Sequence, residues 1–167
     1  MAQGDRGKII GIARRPRPRA VMELVDEVAV MADAGLEGDD KGLKFPRRGV
    51  TLLAREDWQA AIDELADLAG PVPLPWTARR ANLLVEGVRL PAVRGAIILV
   101  GTVRLEVTAE TWPCRRMEQT HPGLMKALAS DARGGVTCRV VEGGIVHIGD
   151  EAVVTVRPPA RRPRLPG

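Results

Sequence analysis

Short apolar runs closed off by turn residues recur along the chain, at residues 9–13, 50–54, 82–85, 96–100, 103–108, 136–141, 145–148 and 152–156. Their length and their content of Val, Ile and Thr predict strands. Glu142-Gly143-Gly144-Ile145 predicts a hairpin between two of them, because glycine enters the positive φ that a two-residue primed turn requires. Gly101 and Gly149 each stand between two apolar runs and predict strand, glycine corner, strand.

Residues 55–69 follow another period. Trp58, Ala61, Ile62, Leu65, Leu68 and Ala69 share one face of a helix, with Glu56 and Asp57 in the first turn, where the dipole favours acids. Gly70-Pro71 ends it. A shorter helix is expected from Pro122, with Leu124, Met125 and Leu128 on one side. Prolines 71, 73 and 75 enforce an extended loop. Residues 21–34 stay open between strand (Val25, Val28, Val30) and helix (Met22, Glu23, Leu24, Glu27). Many short strands and one strong helix predict a mainly β fold, a sandwich or a closed or partly open β-barrel, with one amphipathic helix and one or two short ones. A parallel α/β sheet would need a helix between most strands.

Length adds one bound. At 167 residues the chain suits a single domain, placed at 8–156 with a Pro/Arg-rich, disordered tail at 157–167. Charge needs dissection. The formal net charge is +4, yet residues 14–19 and 157–167 hold four arginines each and no acid, so the body carries 17 basic against 21 acidic residues. There is no Tyr, and Phe45, Trp58, Trp76 and Trp112 are the only aromatics. Without stacking platforms the basic segments read as solvated arms, and nucleic acid is not an expected partner. No run approaches the eighteen apolar residues of a membrane span, and the apolar stretch after Lys8 is too short for a signal-peptide core, so a cytoplasmic location and no membrane partner are expected.

Few side chains remain for chemistry. His121 and His147 are the only histidines, which rules out a multi-histidine metal site, and two cysteines cannot build a disulfide framework. Cys114 lies in Thr111-Trp112-Pro113-Cys114-Arg115-Arg116-Met117-Glu118. A thiol acts as nucleophile or metal ligand only as thiolate, a form favoured by arginines or by backbone N–H groups if Pro113 opens a helical turn. The alternative is a small buried hydrophobe. Cys138 alternates with Val136 and Val140 and is expected in the core. Arg133-Gly134-Gly135 offers a cation beside a close-approach backbone suited to phosphate, or only a turn. Residues 35–42 form a polar glycine loop, and Arg79, Arg80 and Asn82 stand at the mouth of a strand.

Taken in order, Gly-Leu-Glu-Gly-Asp at 35–39, Arg80-x-Asn82, Pro113-Cys114-x-x-Met117, Arg133-Gly134-Gly135 and Gly149-Asp150 resemble a MOSC domain over residues 8–156. These domains are named for the C-terminal part of molybdenum cofactor sulfurase and also occur alone in small bacterial proteins. The resemblance implies a barrel-like β fold whose cysteine binds sulfur or the molybdenum of a pterin cofactor (molybdopterin). Carried over, Cys114 is the sulfur or molybdenum ligand, while Arg80, Asn82 and Arg133, with Gly134 and Asp39, hold the cofactor. One departure is Asp40-Lys41 after Asp39, where relatives often have Arg, sometimes with His.

Three roles follow as expectations. The first is an oxidoreductase component that reduces N-hydroxylated small molecules, fed by an electron-donor protein because the chain has no flavin or iron–sulfur motif. The second is a sulfur carrier taking a persulfide on Cys114 from a pyridoxal-phosphate-dependent cysteine desulfurase. The third is a non-enzymatic module whose Pro-Arg termini bind an acidic partner. A monomer or homodimer suits all three.

Overall fold

The computed structural model describes residues 4–159. In chain order the elements are β1 (Asp5–Arg14), β2 (Glu23–Leu24), β3 (Glu27–Met31), β4 (Gly35–Leu36), α1 (Lys41–Lys44), β5 (Val50–Ala54), α2 (Arg55–Ala69), β6 (Leu83–Val88), β7 (Ile97–Val100), β8 (Val103–Glu110), α3 (Arg115–Thr120), α4 (Leu124–Ala129), β9 (Val136–Glu142), β10 (Gly144–His147) and β11 (Glu151–Val156). Short 3₁₀ turns stand at Pro46–Arg48, Trp76–Arg79 and Ser130–Ala132.

Seven strands close a barrel in the order β11-β7-β8-β9-β5-β6-β1, and β1 pairs back to β11 through Arg6↔Val153, Gly7↔Ala152 and Lys8↔Glu151. Closure leaves these seven strands without a free edge. β2 extends the far end of β1, and β3, β4 and β10 form a small second sheet. Every strand pair is antiparallel except β5 with β6, the pair connected through α2. That arrangement follows from β5, which is buried along its whole length. Leu52 enters the barrel interior with Leu83, Val85, Ile98, Leu105, Val107 and Val140, while Leu53 packs outward with Trp58, Ala61, Leu65, Leu84, Met117, Leu124 and Leu128. A strand buried on both faces reads as a continuous apolar run, which is what residues 50–54 are.

Each predicted strand is present, as is the helix at 55–69, and residues 21–34 resolve as strands. Cys138 is fully buried in the barrel core. Three local readings are corrected. Gly143 and Gly144 make no hairpin, and neither has positive φ. The chain instead leaves the barrel at Glu142 and enters the second sheet, where Gly144 pairs with Val30. Both glycines serve close approach: an added Cβ would stand 2.6 Å from the Val30 carbonyl oxygen at Gly143 and 2.6 Å from Thr102 Oγ1 at Gly144. The helix expected from Pro122 starts at Leu124, because Gly123 precedes it with φ +87. The helical turn considered at Pro113 begins two residues later, since α3 starts at Arg115 with Cys114 as its N-cap in extended conformation.

Residues 160–167, most of the expected tail, lie outside the described residues. Arg157 is tied down, donating to Asp5 and to the Arg89 carbonyl. Among the described residues no helix is long and apolar enough to cross a membrane.

Candidate functional site

On the outward face of the sheet, where β5 and β9 begin, lies a cleft of about 580 Å³, a size suited to a small ligand. Strand ends and the loops beyond them supply its lining. Thr51 comes from the start of β5, Thr137 from the start of β9, Asn82 from just before β6, and Lys41 from α1. The loop after β8 brings Thr111 and Cys114, and α3 adds Arg116. Of the sequence-predicted residues, Cys114, Arg80, Asn82 and Asp39 converge here. Cys114 is exposed.

Arg133 does not reach the cleft. Its guanidinium donates to the Ala127 carbonyl and approaches Glu64, so it ties the end of α4 to α2. Gly134 contributes through its backbone alone. A Cβ there would stand 2.3 Å from the Thr111 carbonyl oxygen, so glycine lets the loop carrying Cys114 lie against this turn.

Arg79 clamps that contact. It is nearly buried, and its Nε and Nη2 donate to Gly134 O and Thr111 O, both at 3.1 Å. Burial lowers its affinity for a proton, while Cys114 nearby acts the other way. Arg80 ends the same 3₁₀ turn in the left-handed region, φ +66, a conformation uncommon outside glycine. Burial, with Arg15 and Arg116 nearby, lowers the affinity of the Arg80 guanidinium for a proton, while Cys114 and Asp40 act the other way.

Asn82 is the hub of the floor. Its Oδ1 accepts from the Thr51 N–H at 2.9 Å and from Lys41 Nζ at 3.5 Å, and its Nδ2 donates to Ala13 O at 3.2 Å and Asp39 Oδ1 at 3.4 Å. Both amide hydrogens and both lone pairs are engaged by protein, so Asn82 positions its neighbours. Asp39 Oδ1 also accepts from the Arg15 N–H, and Arg15 pairs with Asp40. With Arg14 paired to Glu23, the first Pro-Arg segment is anchored at its start.

Lys41 Nζ donates to Thr51 Oγ1 at 2.7 Å. Burial pushes its ammonium down from 10.5 to about 8, against the pull of Asp39 and with help from Arg48, Arg15 and Arg79. Its folded pKa lies below the unfolded value, so between about pH 8 and 10.5 the unfolded chain binds the extra proton and stability rises with pH. Lys41→Met is expected to flatten that rise, which thermal melts across the window would show.

Six cations (Arg15, Lys41, Arg48, Arg79, Arg80 and Arg116) face three acids (Asp39, Asp40 and Glu110) around the cleft. Four buried side-chain atoms among the described residues lack a protein partner: Asp39 Oδ2, Arg80 Nη1, Thr111 Oγ1 and Thr137 Oγ1. All four belong to residues of this lining. Buried polar atoms are normally paired, so their concentration in one cationic cleft leaves a guanidinium donor, two hydroxyls and a carboxylate oxygen free to meet a polar ligand. No group of acidic, Cys and His side chains among the described residues could hold a metal ion by itself.

Lys41, Thr51, Thr111 and Thr137 were not among the predicted site residues, and Arg79 was named only as a cation at the mouth of a strand. Lys41 adjoins the Gly-Asp-Asp phrase, a signal that could have drawn attention to it. Thr51 and Thr137 carry no such signal, because only strand register brings them together, whereas Thr111 opens the phrase that holds Cys114.

The family model for the MOSC domain matches residues 39–153. Among solved structures, the YuaD protein from Bacillus subtilis is similar at a TM-score of 0.71 and 20% identity, covering 89% of this chain and 95% of that one. YiiM from Escherichia coli is similar at a TM-score of 0.61 and 21% identity, covering 90% of this chain and 70% of that one. YiiM from Geobacillus stearothermophilus gives a TM-score of 0.61 at 21% identity, over 90% of this chain and 74% of that one. At these identities the likeness is one of fold. No curated protein matches.

Proposed function

The chain belongs to the MOSC domain family, and from that premise we propose that its cleft binds a molybdenum-bearing pterin cofactor with Cys114 as the metal's protein ligand. The supporting observation is the meeting of an exposed thiol with four unpartnered buried polar atoms in one cationic cleft. These residues fit such a group. A cofactor phosphate needs charged donors, which Arg80 and Arg116 supply in the lining that also holds Cys114, and a polar heterocycle needs placed acceptors and donors, which Asp39 Oδ2 and Thr111 Oγ1 offer. A soft thiolate suits molybdenum, which when bound would supply two-electron redox chemistry.

Within this reading, the reaction is reduction of an N-hydroxylated small molecule. Two electrons and two protons convert N–OH to N–H and water, and the electrons come from a separate donor protein. This chain's residues bind and orient. Arg79 fixes the loop that carries Cys114 by holding Thr111 and Gly134, and Asn82 fixes Lys41 and Asp39 at the floor.

Metal and pterin analysis of protein made in a host that supplies the cofactor tests the proposal. Wild type is expected to retain both, and Cys114→Ala to lose molybdenum. A wild type without cofactor, indistinguishable from Cys114→Ala, would overturn it.

The exposure of Cys114 also favours a second reading, since a sulfur donor can reach it. A desulfurase persulfide would be attacked at its outer sulfur by the Cys114 thiolate, giving a Cys114 persulfide and returning the donor cysteine as thiolate. Incubation with a cysteine desulfurase and its cysteine substrate would then add about 32 Da to Cys114 in mass spectra.

A further inference from the structure

We propose that Lys41 and Thr137 form an oxyanion subsite on the floor of the cleft, separate from the arginines around Cys114, and that it selects ligands carrying an oxyanion at that end. The inference rests on the reading of the cleft as a ligand site and adds a second recognition point within it.

Strand register carries the argument. Thr51 on β5 pairs with Thr137 on β9, so their side chains project from the same face of the sheet as neighbours. Lys41 Nζ is bonded to Thr51 Oγ1 and reaches Asn82 Oδ1, which occupies two of the three ammonium hydrogens. The third has no protein acceptor among the described residues. Thr137 is 5% exposed, and its Oγ1 is buried without a partner. Both residues line the cleft. A charged donor and an unpaired hydroxyl thus stand side by side on a floor whose nearest acid, Asp39, already accepts from Arg15 and Asn82 through Oδ1. A negatively charged oxygen satisfies both at once.

The cost of holding this ammonium follows from its surroundings. It is faced by Asp39 from the loop after β4, Arg48 from the turn before β5, Arg15 from the end of β1 and Arg79 from the turn before β6, with the Cys138 thiol behind it on β9. Burial holds its pKa near 8, and burial also raises the Cys138 thiol, which keeps it neutral. An oxyanion bound at Nζ therefore binds with proton uptake once the pH passes that value.

Sulfate is a suitable probe because its charge does not change between pH 7 and pH 9. Calorimetric titration at fixed ionic strength, in a Cys114→Ser background that removes the cleft's one exposed thiol, compares Lys41, Lys41→Arg, Lys41→Met and Thr137→Val proteins. With Lys41 the affinity is expected to fall about tenfold from pH 7 to pH 9, the change in its protonated fraction. Lys41→Arg should remove the pH dependence, Lys41→Met should bind weakly at both values, and Thr137→Val should bind several-fold more weakly. Melting curves establish that each variant is folded. If Arg80→Ala abolishes binding while Lys41→Met and Thr137→Val leave it unchanged, the floor subsite is wrong and the ligand cleft stands. Absence of sulfate binding at pH 7, or binding indifferent to all these substitutions, would overturn both.

Discussion

Asn82→Leu is expected to destabilise the protein by about 3–5 kcal/mol, since each buried group left without its partner costs roughly 1–3 kcal/mol. Leucine keeps the approximate size and removes every polar contact. The Thr51 N–H loses its acceptor, Ala13 O loses a donor, and Asp39 and Lys41 lose the amide that stands between them. For a chain of this length the melting temperature should drop by about 10 °C. Because the amide has no unused polar atom, Asn82→Leu should also disturb ligand binding only through Lys41 and Asp39. A melting temperature within two degrees of wild type would show that these contacts do not carry the floor.

The second large effect is expected at Arg79. Arg79→Met keeps the apolar stem but leaves the carbonyls of Gly134 and Thr111 without their donor, a loss of about 2–4 kcal/mol. Arg79→Lys should recover little, since one ammonium cannot reproduce a planar fork that serves two carbonyls at fixed spacing. The consequence reaches Cys114, which follows Thr111 by three residues on the same loop. Released from the clamp, the thiol should become more uniformly reactive toward alkylating reagents, and the cleft should lose ligand affinity beyond what the change in stability explains. Alkylation rates at matched folded fraction separate these outcomes; a rate and an affinity equal to wild type would exclude a positioning role for Arg79.

The strands were legible because barrel residues alternate or run apolar according to how many faces they bury, and 50–54 shows both faces at once. Gly143-Gly144 misled because the same pair suits either a primed turn or a close crossing, and only the position of Val30 decides between them. Cys114, Arg80, Asn82 and Asp39 were singled out by resemblance, as phrases in order, and the structure brings these four to one cleft. Arg133 was not, because a cation next to two glycines looks the same whether it faces a ligand or a helix end. Thr137 was invisible for a different reason: its partner across the sheet is 86 residues away in sequence, and nothing local distinguishes it from any strand threonine.

The pairing of β1 with β11 places the seam of the barrel between the first and last strands of the fold. During synthesis the ring therefore stays open until residues 151–156 have emerged from the ribosome, and β1 and β7 present unsatisfied edges until then. Joining the two ends by a short linker and cutting the ring elsewhere, at the exposed turn around Gly70, would move this late step to another strand pair without changing the cleft.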